Sequence, residues 1–290
     1  MTSVDVDFKS SHSETESFRA CERKHFYGYG LRLRHGRPSI ALVRGSLGHE
    51  VLAEFYGQCQ SGNDFRTSKR AAYELLQSRL SEIEDDYPND RVREDLTFCF
   101  KDYFSLAERE FDKIEVLGVE ESFNVRITNS FSLPFVVDLI LRYAGRLEAW
   151  DHKFVWDFFN PNVIDLSPQL PLYYAGLAML DYPHATVRYN EIRYRATKEI
   201  KEDPDSRINR PTPRITPARV RTTMEEHIQV GQRIFDLRQM GLEKWEKQVV
   251  RAGNNQTCRN CDFAKMCIGE LNGEDRNRFY VGVDYFERTR

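Results

Sequence analysis

The spacing of hydrophobic residues changes period several times along the chain, and each change marks a different element. Ser13-Glu14-Thr15-Glu16 has the Ser-x-x-Glu spacing of a capping box and predicts a helix carrying Phe18, Cys21 and His25. "RGSLGHEVLAEFYGQC" places Leu47, Val51, Leu52 and Phe55 on one helical stripe, and further helices are expected over about 67–84 and 91–113. From "KIEVLGVEESFNV" to "AWDHKFVW" the chain becomes rich in Val, Ile, Phe and Leu between turn residues, the pattern of a sheet. "SPQLPLYYAGLAMLDYP" returns to helix, capped by Ser167 or starting nearer Pro171, and "ATVRYNEIRYRA" reads as another strand. A helical segment follows from "TPARVR" to "LEKWE", with an irregular stretch beyond it. Helices, strands, helix, strand and helix in this order describe an α/β fold with helical elaboration, read as one domain over residues 1–290.

The apolar strands are interrupted by charge at chosen places. In "LPFVVDLILRYAGRLEAWDHKF" two apolar runs flank a glycine-containing turn, which is a β-hairpin. If Ala144 and Gly145 form the loop, Asp138 lies across from Asp151; if Gly145 and Arg146 do, it lies across from Lys153. Side-chain alternation puts Asp151 and Lys153 on the same face, so either register gathers two carboxylates and an ammonium. Acids this close repel unless one is protonated or a cation lies between them, and hard divalent ions favour such oxygen clusters. His49 stands early in a helix beside small residues that permit close approach; an imidazole on an oxygen site shifts preference from magnesium towards manganese.

Composition narrows the setting. The chain has 290 residues, 40% hydrophobic and 30% charged, with a formal net charge of −3, which is enough for a core and gives no overall basic character. No apolar run approaches the ~20 residues of a membrane span, and the polar start lacks a signal-peptide core, so a cytoplasmic location is expected. In that setting "CRNCDFAKMC", with Cys258, Cys261 and Cys267, points to metal ligation before disulfides. Cys21, Cys59 and Cys99 are the candidates for a fourth ligand, and the spacing suits zinc or an iron-sulfur cluster equally. One local basic stretch stands out: "SRINRPTPRITPARVR", residues 206–221, carries Arg207, Arg210, Arg214, Arg219 and Arg221 among prolines, and reads as a flexible arm able to meet phosphates.

In order, Cys21, Gly45-x-x-x-His49, Asp138, Asp151-x-Lys153, Gln169-x-x-x-Tyr173 and the terminal cysteines resemble the RecB-like branch of the PD-(D/E)XK nuclease superfamily. Its iron-sulfur exonucleases include CRISPR-associated, phage and AddB-type members. The resemblance implies a restriction-endonuclease-like core with a mixed central sheet flanked by helices, its catalytic part over 116–195. It also implies a [4Fe-4S] cluster on Cys21, Cys258, Cys261 and Cys267, held by segments 14–30 and 258–267, as a clasp joining the N- and C-terminal segments. His49, Asp138 and Asp151 would bind Mn2+ or Mg2+ with help from the His152 backbone carbonyl, and Lys153 would be the motif lysine. Gln169 and Tyr173 would lie beside the active site and help hold DNA, with Glu121 an accessory acid. Phe135 replaces a common glycine and Phe154-Val155 a common Thr-Gly; both bear on substrate geometry and leave every proposed ligand in place.

The expected function is a metal-dependent DNA exonuclease acting on single-stranded ends, with Arg207, Arg210 and Arg214 as DNA contacts and Tyr173 as a stacking ring. Repair, recombination, CRISPR-adaptation or phage-replication proteins would be its partners. No Gly-x-x-x-x-Gly-Lys-Ser/Thr loop is present, so ATP-driven unwinding is not expected. The alternatives are a non-catalytic DNA-binding or scaffolding iron-sulfur protein and a zinc-stabilised interaction module.

Overall fold

The computed structural model describes residues 7–35, 38–87, 91–180, 182–195, 197–275 and 280–282. In chain order the elements are β1 (Phe8–Lys9), α1 (His12–Ala20), α2 (Glu22–His25), a π-helical turn (Phe26–Gly30), β2 (Leu33–His35), α3 (Ile40–Gln60), α4 (Phe65–Asp86) and α5 (Val92–Glu110). The sheet strands β3 (Ile114–Arg126), β4 (Phe131–Tyr143) and β5 (Arg146–Val155) follow, then α6 (Pro161–Leu166), α7 (Gln169–Ala178) and β6 (Thr186–Arg193). The chain continues through α8 (Lys198–Glu202), β7 (Ile208–Asn209), α9 (Pro217–Gln239), α10 (Leu242–Gln248), α11 (Asn255–Cys258), α12 (Ala264–Leu271) and β8 (Tyr280–Gly282). Two compact units are built from these elements: one from the stretches up to Ser39, Phe123–Phe135 and from Arg221 on, the other from Ile40–Ser122 and Val136–Val220.

The second unit is sheet and helix. β4 pairs antiparallel with β5, β5 parallel with β6, and β6 antiparallel with β7, while β3 joins β4. The sheet is therefore mixed, as the α/β reading requires. Leu139, Leu141, Trp150 and Ile192 point to one face and meet Leu52, Phe55, Leu76, Phe100 and Phe104 of α3, α4 and α5. Burying each such side chain contributes roughly 1.5–3 kcal/mol before conformational entropy is counted. The next residue of each alternation, Asp138 before Leu139 and Asp151 after Trp150, points the other way.

The first unit is mainly helical. Phe18, Phe26, Tyr27, Leu33, Ile234, Leu237, Trp245, Val249, Phe263 and Met266 form its core. Polar pairs bind early segments to late ones: Tyr27 donates to Glu270 at 2.6 Å, and Arg23 meets Glu246 at 3.4 Å. His227 sits between Thr15 Oγ1 at 3.1 Å and the Ser10 carbonyl at 3.0 Å.

Two local expectations differ from the structure. α1 is capped by Ser11, whose hydroxyl accepts the Glu14 N–H, rather than by Ser13. The helix also stops at Ala20, because Cys21 is extended (φ −168°) and its sulfur caps the next turn by accepting the Lys24 N–H at 3.4 Å. Cys21 is thus a joint between helices, not a helical residue. The cysteine stretch is also more ordered than its composition indicates, with Cys258 closing α11 and Cys267 inside α12.

Candidate active site

The hairpin turn fixes the site. Tyr143 pairs with Arg146, so Ala144 and Gly145 form the loop, both with positive φ (49° and 82°), the primed turn that matches strand twist. The same register carries Leu139 to Trp150 and so sets Asp138 against Asp151. The backbone N–H of His152 donates to Asp138 Oδ2 at 2.7 Å and holds that carboxylate in place.

Asp151 is held from two sides. Lys153 Nζ lies 2.6 Å from its Oδ2, and Gln169 Nε2 donates to its Oδ1 at 2.6 Å. Gln169 is itself fixed: its amide reaches Tyr173 OH at 3.1 Å, while its carbonyl accepts from Tyr189 OH at 3.2 Å, and Tyr189 OH also meets Ser167 Oγ at 2.7 Å. A helix–strand network thereby orients one carboxylate. Tyr173 is only 8% exposed, so it cannot offer its ring to a base, and the stacking role expected for it is corrected to one of anchoring Gln169.

α3 delivers the imidazole. His49 Nδ1 lies 3.4 Å from Asp138 Oδ2 and 3.9 Å from Glu120 Oε1. Close approach depends on Gly48, where an added Cβ would sit 2.3 Å from the Phe154 ring; at Gly45 nothing lies within 4 Å. The acid that the structure brings beside His49 is Glu120, where Glu121 was expected. Its backbone φ of +51° breaks the strand's alternation, while the Glu121 side chain packs over Gly118. Strand periodicity cannot reveal such a break, and the only signal in the sequence is the pair of adjacent acids in "VEES".

Electrostatics follow from this crowding. Burial, then the neighbouring Asp151, push the Asp138 carboxyl up to about 7, against the pull of His49 and the His152 N–H. Burial disfavours the charged form of His49, yet Glu120, Asp138 and Asp151 outweigh it and raise its proton affinity. Lys153 behaves alike: burial opposes its charge and Asp151 more than restores it. His152, buried behind the strand, is driven well below the usual imidazole range by desolvation and then by His49.

These donors suit a hard divalent cation. His49, Glu120 and Asp138 each offer an atom within 4.8 Å of the others. Asp151 lies outside that group, its Oδ2 paired with Lys153 and its Oδ1 accepting from Gln169. A cation beside these carboxylates would relieve the repulsion that raises Asp138.

Cys21, Cys258, Cys261 and Cys267 lie elsewhere, in the first unit. Cys21 Sγ accepts the Ala252 N–H at 3.4 Å and Cys267 Sγ the Arg251 Nε–H at 3.1 Å, while Cys21 and Cys261 interact electrostatically. Among the described residues no three of the sulfurs lie within 4.8 Å of one another, whereas thiolates on one zinc stand about 4 Å apart. Cys99 is fully buried and packs in the helical core, where Cys59 is also half-buried.

The basic stretch is not an arm over its first half. Arg207 is 2% exposed, with Nε on Asp102 at 2.7 Å and further bonds to the Arg193 and Arg195 carbonyls. Arg210 bonds Glu110 at 2.8 Å and Asn190 at 3.0 Å and lies over Trp150. Both charges are neutralised by acids of α5, and β7 ties the intervening residues to β6, so neither arginine is available to a phosphate. Arg214 alone of the three is exposed.

The mixed sheet presents paired acids and a lysine beside an imidazole, a donor set that suits a divalent metal. The family model of the PD-(D/E)XK nuclease superfamily matches residues 9–268, and the chain belongs to that superfamily, whose nucleases use divalent metals. Its α/β fold is consistent with a restriction-endonuclease-like core. Comparison with curated proteins gives no match. No helix among the described residues is long and apolar enough to cross a membrane.

Proposed function

We propose that the chain is a DNA exonuclease that hydrolyses phosphodiester bonds at single-stranded ends with Mn2+ or Mg2+. The carrying observation is that His49 of α3, Glu120 of β3 and Asp138 of β4 meet beside the Asp151–Lys153 pair. His49, Asp138, Glu120 and Asp151 would hold the ion, with the His152 backbone carbonyl as a further donor. Bound there, the metal supplies an activated water and polarises the scissile phosphate.

The chain's own groups do the rest. Lys153, kept charged by Asp151, donates to a phosphate oxygen as negative charge builds on it. Gln169 keeps Asp151 in one orientation and Tyr173 keeps Gln169 there. Water oxygen attacks phosphorus and releases a proton to solvent, the bond to the leaving oxygen breaks, and that oxygen takes a proton from solvent. Arg214, exposed, contributes phosphate attraction.

In the same reading, a RecB-like one, Cys21, Cys258, Cys261 and Cys267 carry a [4Fe-4S] cluster. N–H donors on Cys21 and Cys267 support thiolate ligation by these two residues. The test is end-labelled single-stranded DNA with Mn2+, alongside iron and sulfide analysis after anaerobic purification. Release of labelled mononucleotides by the wild type, abolished in Asp151→Ala and Lys153→Ala, is expected. An intact label in the wild type would remove the nuclease reading.

A further inference from the structure

A second cluster sits where β5 and β6 end. The two strands are parallel, with Val155 beside Arg193, and the Tyr194 N–H donates to the Val155 carbonyl at 3.1 Å. The residue just beyond β5 is Trp156, 54% exposed although it is among the largest apolar side chains in the protein. Its ring meets Tyr194 edge to face at 5.7 Å, and the Arg195 guanidinium lies 5.2 Å over it. Arg44 of α3 lies 5.0 Å over Tyr194. Both cations are steadied by acids, Arg44 by Asp95 at 3.0 Å and Arg195 by Asp157.

The position matters as much as the chemistry. Trp156 follows Lys153 by three residues, ~10 Å of strand, and Arg44 precedes His49 by five, ~7.5 Å of helix. Both elements that build the candidate active site therefore lead to this patch. The carboxyl ends of parallel strands are also where open α/β sheets take ligands. An exposed indole with one guanidinium over its ring and a second over the neighbouring tyrosine suits a nucleobase and its adjoining phosphates, since base stacking is sequence-tolerant and arginine adds cation–π attraction. In a duplex the bases are already stacked, so only an unpaired strand can use such a surface.

We propose that Trp156, backed by Tyr194, Arg44 and Arg195, is a stacking platform for an unpaired base of single-stranded DNA adjoining the scissile phosphate, an inference that rests on the nuclease reading above. Trp156 reports on itself, because the protein's other tryptophans, Trp150 and Trp245, are buried at 1% and 3% exposure. With EDTA present to prevent cleavage, oligothymidine should quench the exposed indole emission, while an abasic oligonucleotide of the same length should not. Trp156→Ala should weaken oligothymidine binding, read by anisotropy, roughly 5- to 150-fold, and Trp156→Phe should keep most of the affinity. Binding without quenching, or unchanged affinity in Trp156→Ala, overturns the platform. Quenching without cleavage in Mn2+ retains the platform and sinks the nuclease reading; cleavage with unchanged Trp156→Ala affinity does the reverse. Absence of DNA binding sinks both.

Discussion

The carboxylate site and the cysteine region differ in what holds their donors. Asp138, Asp151 and Lys153 sit on long strands, braced by a backbone N–H and by the Gln169 amide, so the oxygen site is built before any ion arrives. Cys21 stands at a joint, Cys258 closes a helix of 4 residues and Cys267 lies in one of 8. Helices that short do not hold themselves in water. The contrast separates the roles of the two proposed metals: one on rigid strands would serve chemistry, whereas one gathered by short helices would serve the fold.

The contrast breaks first where activity and folding should separate. Asp151→Ala and Lys153→Ala should cut cleavage by on the order of 10³-fold or more, with little change in melting temperature by calorimetry. Cys261→Ser should do the opposite, producing an early unfolding transition while the initial cleavage rate at room temperature stays close to wild type. If the substitutions in both regions moved both observables, the two regions would be one functional unit.

Smaller effects sharpen it. Gln169→Ala should lower kcat about 10- to 100-fold, as loss of a group that orients a ligand does, and Gln169→Glu should not restore it because an acceptor would then face Asp151. Gly48→Ala, which drives a Cβ into Phe154, should cost about 1–3 kcal/mol, relieved in part by Phe154→Leu.

The pH dependence has a definite sign. A raised Asp138 favours the metal-free fold below the unfolded carboxyl value, and that contribution is lost as pH rises through about 7. The raised His49 acts in the same direction, its contribution disappearing above the ordinary imidazole value. A metal needs both groups deprotonated, so Mn2+ should raise the melting temperature more at pH 8 than at pH 6, the binding free energy behind it growing by about 1.4 kcal/mol for each proton displaced per pH unit.

Much of this was legible in the residues. The hairpin with its register narrowed to two, the helical stripe of α3 and the alternation joining Asp151 to Lys153 are local properties, and local rules carried them; the Tyr143–Arg146 pair selects the register. Three features were not. Glu120 enters the site through a positive φ, which a period of two cannot express. Arg207 and Arg210 look solvated in a charge run, but Asp102 and Glu110, about a hundred positions earlier, take their charge. Cys21 ends a helix because its sulfur competes for a backbone N–H, an option helix propensity ignores.

The network from Ser167 through Tyr189 to Gln169 is made of hydroxyl and amide groups, so its strength is indifferent to ionic atmosphere. Electrolyte screens exposed charges and spares enclosed neutral ones. In concentrated brine the enzyme should therefore lose its grip on distant polyanions, with KM climbing, while the turnover of whatever strand it has already captured holds steady.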